Sequence, residues 1–490
     1  MIALAACGRL HFDPIVDASD GPPGDAFTGM KLTYVKASNP GVGDQFGTSV
    51  ALSADGNTLA VGAAYEDGGA TGINGTQDDA AGDAGAVYVF VRSADTWVQQ
   101  AYIKASNTDA VDLFGTAVQL SADGNTLAVG AYQEDSDSTG INGTEGNSTL
   151  GGTSGAVYVF ARTGTTWSQQ AYVKPSNTDA NDEFGRSLAL AEDGNTLAVG
   201  AYLESSSAAG IGGNQTNNAL SKSGAVYIFT RAGTVWSQQE YIKASNPSLE
   251  AQFGWSVALA ADGNTLVVGS VIQDDVALDS GAAYVFGRVG ATWSQIAYLK
   301  AFNVGATDYY GQAVALSADG STLAVGAILE DSNATGVDGD GINDLAIDAG
   351  AAYVYARNGD LQAYVKATNS EAGDTFGRGL ALSGSGGLLA VGAYFEASNA
   401  IGLDGDQMNN AASGSGAAYV LTRTGSWVPS RYLKATNTDP NDRFGVSIAL
   451  TPDARVLAIG AIGESSVATG INGDQADNSV RDAGAVYLIE

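Results

Sequence analysis

Two acidic positions recur along this chain at fixed distances from glycine landmarks. An Asp stands two residues before six of seven Phe-Gly or Tyr-Gly pairs: Asp44, Asp112, Asp182, Asp308, Asp374 and Asp442. A Glu stands four residues after the glycine of a Val-Gly-Ala or Ile-Gly-Ala run: Glu66, Glu134, Glu204, Glu330, Glu396 and Glu464. Carboxylates so placed can hold a hard cation, Ca2+ above all, if loop carbonyls and Asn or Asp oxygens complete a shell of about six to eight oxygens. They can equally accept N–H groups and lock a loop by hydrogen bonds. A regular pleat would set Asp44 and Glu66 on opposite sides of a sheet, so a shared cation needs the strands to splay there. In the fourth copy Ala251 and Gln273 replace the pair and the following loop shrinks to IQDDVALDSG. Asp, Glu and loop therefore vary as one unit.

These positions belong to a repeat. The landmarks are Phe46, Phe114, Phe184, Phe253, Tyr310, Phe376 and Phe444, so one supersecondary unit is copied seven times. In the first copy, FGTSVALS and NTLAVGA flank Asp55-Gly56, a strong hairpin signal. With the turn there, Phe46, Val50, Leu52, Leu59 and Val61 share a bulky face. Gly47, Ser49, Ala51, Ala60 and Gly62 share a small one. Both faces are unfit for water and need cover. GAVYVF reads as a third strand and WVQQAYIKAS as a fourth. Four antiparallel strands per copy, bulky face against small face, predict an all-β protein: a seven-bladed β-propeller. KLTYVKASN at residue 31 is a fourth strand without its first three, and the last copy stops at GAVYLIE. The two complete one blade if Tyr34 pairs with Tyr487, which closes the ring and removes its open edges.

The long loop between strands two and three is the variable part and carries a recurring TGINGxQ core; in blade five DGDGINDLAID from Asp338 is the most acidic, and Asp338, Asp340 and Asp344 superficially look like a calcium loop but lack the EF-hand spacing and terminal Glu. A Trp precedes each Tyr-x-Lys strand (Trp97, Trp167, Trp236, Trp293, Trp427), missing in blade six, where Leu361 stands nearby. One aromatic per blade suits blade-to-blade packing, or stacking on sugars.

Net charge is −31, from 22 basic and 53 acidic residues, which disfavours nucleic acid and anionic membrane as partners and favours cations or basic ones. Thirteen basic residues sit at two repeating positions, the Lys of Tyr-x-Lys and the Arg after the third strand, as expected for pairing within the unit. The single Cys and single His, Cys7 and His11, precede residue 31, so Ser-His or Cys-His catalysis and the usual zinc sites are not expected in the repeats.

The recurrent FG…VGA pattern from about residue 31 to 490 resembles the FG-GAP repeats of the integrin α-subunit propeller and its bacterial relatives. The resemblance implies a propeller used for binding at a surface. It departs at the first hairpin, where integrin calcium blades carry a DxDxDG-like loop. Here the turn is minimal, and Asp55, Asp123, Asp193, Asp262 and Asp319 read as turn residues.

Leu4-Ala5-Ala6-Cys7 resembles a bacterial lipobox with a truncated signal before it, and residues 1–30, rich in Asp, Gly and Pro, read as that remnant and a tether. The expectation is a monomeric lipoprotein of the bacterial envelope, on the outer membrane or cell surface, its membrane contact a lipid on Cys7. Residues 31–490 form a non-catalytic binding or scaffold propeller that meets a protein or glycan with its long loops. The alternatives are a carbohydrate-active enzyme using carboxylates, or a purely structural envelope component.

Overall fold

The hairpin turn sets the first two strands of each blade. Gly56 takes a φ of 65°, and the Asp55 carboxylate accepts from Ser53 Oγ at 2.6 Å and the Asn57 N–H at 3.0 Å. Asp123, Asp193, Asp262 and Asp319 each accept the N–H two residues on, so all five turn acids serve the turn. Val50 then faces Val61 and Leu52 faces Leu59. The computed structural model describes residues 31–146 and 152–490. The expected lipidation at Cys7, His11 and the tether lie outside the described residues.

Those residues form seven four-stranded antiparallel sheets. In blade one the strands are Phe46–Leu52, Thr58–Ala63, Ala86–Ser93 and Thr96–Ile103. The inner strand is not a regular pleat: the register slips between Phe46 and Ser49, and Gly47 sits at φ 99°. This bulge recurs in six blades and bends the strand just where the Asp precedes it.

Bulky faces lie on small faces around the ring. Phe114, Val118, Leu127, Val129 and Phe160 of blade two cluster with Ala51, Ala60, Val87 and Val89 of blade one. The two signature glycines meet at that interface. A Cβ on Gly62 would lie 1.9 Å from the Gly115 carbonyl oxygen of the next blade, and one on Gly460 would lie 2.2 Å from that of Gly47. Every Val-Gly-Ala glycine faces a Phe-Gly or Tyr-Gly carbonyl in this way, so the motif marks a backbone contact that no side chain can enter.

The repeated Arg and Trp tie blades together at the outer edge. Arg162 donates to Gln100 and Thr58 of blade one and to Asn125 of its own blade; its guanidinium lies 5.2 Å from the Trp167 ring. Trp167 Nε1 donates to the same Gln100 at 2.9 Å. These tryptophans are buried, in packing roles. Leu361 opens the outer strand of blade five, not six, because each Tyr-x-Lys strand completes the blade before it.

The ring closes as the unmatched strands required. Leu32–Val35 pairs with Ala485–Ile489, Tyr34 opposite Tyr487. At this junction Glu490 takes the place of the bridging Gln, accepting from Trp97 Nε1 at 2.9 Å. Inner strands line a central channel. At its hairpin end, backbone bonds run from blade to blade: Ala54 to Ala122, Ala122 to Glu192, Glu192 to Ala261, Ala261 to Ala318, Ala318 to Gly384 and Gly384 to Pro452. Pro452 has no N–H to return to Ala54, so this circle is open between blades seven and one.

Candidate functional site

The six repeated glutamates lie beneath the long loops, almost fully buried. Glu66 accepts from Lys104 Nζ at 2.8 Å, Tyr102 OH at 2.7 Å, Asn39 Nδ2 at 3.0 Å and the Gly68 N–H at 3.0 Å. Lys104 and Tyr102 are the Lys and Tyr of the Tyr-x-Lys strand of the same blade. The other pairs are Glu134–Lys174, Glu204–Lys243, Glu330–Lys366, Glu396–Lys434 and, across the closure, Glu464–Lys36, all at 2.6–2.9 Å. Burial outweighs the carboxylate's attraction and holds each of these lysines below its ordinary pKa. Asn39 leaves the outer strand of the preceding blade and also accepts from Tyr88 OH at 2.6 Å. Its counterparts Asn107, Asn303, Asn369 and Asn437 reach the next glutamate at 2.7–3.0 Å, so the buried pairs are linked from blade to blade.

The repeated aspartates stand close by and have different donors. Asp44 accepts the Gly41 N–H at 2.7 Å, and Asp112, Asp182, Asp308, Asp374 and Asp442 each accept the N–H three residues back. Burial, with the charge of the adjacent glutamate adding to it, pushes Asp44, Asp308 and Asp374 up to about 7 and Asp112, Asp182 and Asp442 up to about 8. The structure thus brings each Asp and Glu to one side beneath the loop, yet each Glu is turned to Lys and Asn. Among the described residues no group of three or more acidic, His or Cys side chains could hold a metal ion. With the glutamate oxygens taken by ammonium, phenol and amide donors, the residues present do not fit the oxygen shell of Ca2+.

The sequence pointed to pairing of the repeated Lys within the unit, as found, but tied Glu to Asp and so missed Glu as the partner. Blade four hid the signal: it loses Glu but keeps Lys. There Lys300 pairs instead with Asp275 at 2.8 Å and donates to the Gly281 carbonyl at 2.6 Å.

The TGINGxQ core docks each long loop on its own outer strand. Ile73 bridges to Ile103, Asn74 donates to the Tyr102 carbonyl at 2.7 Å, and Asn74 Oδ1 accepts the Tyr102 N–H at 3.0 Å. Asn74 has a φ of 55°, a left-handed turn that Asn and Asp tolerate. Asp338, from the calcium-like stretch, fills this position in blade five and bonds Tyr364 in the same way. Blade four has no such loop. Its outer edge is left bare, exposing Ile296 and Phe302, while the short loop exposes Val276 and Leu278. Phe302 borders the blade-five loop: it packs on Tyr364 at 5.3 Å and against Gly341. The next residues of that loop expose Ile342 (81%) and Leu345 (75%).

A family model described as FG-GAP repeat matches residues 97–160, 167–229, 236–286 and 293–355. The chain carries FG-GAP repeats. Each matched segment runs from an outer-strand Trp to the third strand of the next blade, so the sequence unit is offset by one strand from the FG-GAP blade. That offset is what leaves one strand to close the ring. No curated protein matches the chain. Among solved structures, a chain of "Crystal Structure of Mitotic Checkpoint Complex" is similar over 98% of both chains, at 13% identity and a TM-score of 0.48.

Proposed function

We propose that this FG-GAP propeller is a non-catalytic binding or scaffold protein whose contact surface is the loop end, centred on the notch at blade four. The observation that carries this is the exposure of Val276 and Leu278 on the short loop of blade four and of Phe302, Ile342 and Leu345 on the blade-five side of it, where, among the described residues, the ring of docked loops is interrupted. Large apolar side chains left exposed at such a gap on a strongly acidic molecule suit an interaction surface. They suit a protein partner with an apolar centre and a basic rim. The six buried Glu–Lys pairs serve as internal locks that fix the loops. Each of these glutamates is engaged by Lys, and Glu66 by Tyr102 and Asn39 as well, which supports an internal structural role over that of a glycoside-hydrolysing acid or base. Display at a bacterial envelope through a lipid on Cys7 remains part of this reading, supported by the lipobox-like residues.

The test couples surface variants to partner binding. L278D, I342D and L345D, each monomeric and with an unchanged melt, are compared with wild type for binding to fractionated envelope proteins. Loss confined to these variants supports the notch. Equal binding by all of them, with loss instead on changing exposed residues of blades one and two, would overturn it. Fatty-acid labelling of the gene with its upstream sequence, against Cys7→Ser, tests the anchor separately.

A further inference from the structure

The channel mouth on the loop face breaks the sevenfold pattern. The Phe46 end of the inner strand pairs with Ala63, where the long loop departs, so this mouth shares the loop end. At the residue immediately after each Phe-Gly or Tyr-Gly, blades one, two and seven carry Thr48, Thr116 and Val446. Blades three to six carry Arg186, Trp255, Gln312 and Arg378. All seven line one cavity of about 250 Å³.

The four consecutive blades bring two guanidinium groups, an indole and an amide to this mouth. Arg186 is held between aromatic rings, 5.5 Å from Tyr132 and 4.8 Å from Trp255. Tyr202 meets Trp255 edge-on at 5.0 Å. The carboxylate nearby, Glu183, accepts from Tyr202 OH and is also attracted by the Arg186 charge. Arg378 lines the same cavity as Arg186, and burial together with the like charge of Arg186 holds its guanidinium below the ordinary value. Among the described residues, the two guanidinium groups, the Trp255 indole N–H and the Gln312 amide donate to no protein acceptor. Two half-buried guanidinium groups lining one cavity repel each other, and an anion between them relieves that repulsion.

We propose that this mouth binds a small oxyanion, a carboxylate or phosphate group held between Arg186 and Arg378. Guanidinium forks match both groups in bidentate geometry, and the indole and amide N–H groups add donors where the anion's remaining oxygens lie. The volume is below the ~300–1,000 Å³ of pockets for drug-sized ligands, so the site takes a small anion or the acidic end of a larger one. It stands apart from the apolar notch, and the failure of either reading leaves the other intact.

The test uses the whole chain at fixed low ionic strength, with calorimetry and tryptophan fluorescence as readouts and inorganic phosphate, glucuronate and neutral glucose as probes. Saturable 1:1 binding of phosphate or glucuronate, and none of glucose, is expected; which anion binds tighter separates the phosphate source from the carboxylate one. R186Q and R378Q each weaken the anion at least tenfold. R378K, which keeps the charge and loses the planar fork, falls between. Without anion, R378Q melts at or above wild type, because it removes an unpaired charge; this keeps a binding loss distinct from unfolding. Equal affinity in wild type and both Gln variants, or no saturation below about 10 mM, overturns the proposal.

Discussion

Glu134→Gln isolates one buried lock. The amide keeps the shape of the side chain but removes the charge opposite Lys174, whose Nζ lies 2.9 Å from Glu134 and also donates to Ser136 O and Ser154 Oγ. A buried ammonium without its carboxylate costs about 3–5 kcal/mol. An independent limit comes from neutralising it. Giving up the Lys174 proton at pH 7, starting from an ordinary pKa of about 10.4, costs about 4.6 kcal/mol, since each unit is about 1.36 kcal/mol. The two figures agree. The limit also fixes a sign: a lysine that is neutral in the fold and charged when unfolded makes the fold more stable as pH rises, so by pH 9.5 the cost drops to about 1.2 kcal/mol. With an unfolding entropy of about 1 kcal/mol per degree for a ring of this length, E134Q should melt roughly 3–5 °C lower at pH 7 and close to wild type at pH 9.5. E134Q/K174M, which removes both charges, should recover most of the loss. Differential scanning calorimetry at the two pH values reads all of this. A deficit that does not shrink at pH 9.5, or a double variant no better than the single, refutes the reasoning.

Asp112 is raised to about 8 by burial, above its unfolded value near 3.8, so the fold holds the proton that the unfolded chain releases. Stability from this group is full below pH 4 and is lost as pH rises through about 8; D112N should raise the melt at pH 8 and leave it unchanged at pH 4. Gly130→Ala would put a Cβ 2.1 Å from the Gly185 carbonyl and should destabilise by several kcal/mol, seen as faster limited proteolysis between blades two and three. Deleting residues 1–36 strips Ala485–Ile489 of its partner and Glu464 of Lys36; light scattering should show association that a peptide spanning residues 30–40 reverses. Pro452→Ala supplies the N–H that Ala54 O lacks, and hydrogen exchange at blades seven and one should slow.

What the sequence showed was whatever recurs at short range. The Asp55-Gly56 turn fixed the pairing of Val50 with Val61, and alternation then sorted Phe46, Leu59 and Val61 from Ala51 and Ala60. Unmatched strands at the two ends foretold Tyr34 opposite Tyr487. The bulge at Gly47 was not visible, because alternation carries no sign of the two extra residues, Gly47 and Thr48, until the partner strand is placed. Glu66 and Lys104 lie 38 residues apart, and covariation between them is masked where Asp275 takes over the lysine of blade four. Asp338 looked like a ligand because a left-handed docking turn and a calcium loop favour the same residue types. The mouth residues escaped notice because a search for repeats discards the position at which the repeats disagree.

Closure by the first strand also imposes a wait during synthesis. Leu32–Val35 emerges from the ribosome early, but the strand it pairs with, Ala485–Ile489, is made some 450 residues later. At about 5–20 residues per second that is roughly 20–90 s during which an apolar segment has no lawful mate. Any similar strand on a neighbouring nascent chain can claim it in the meantime, so the yield of intact rings should depend on chaperone supply and on how densely ribosomes crowd the message.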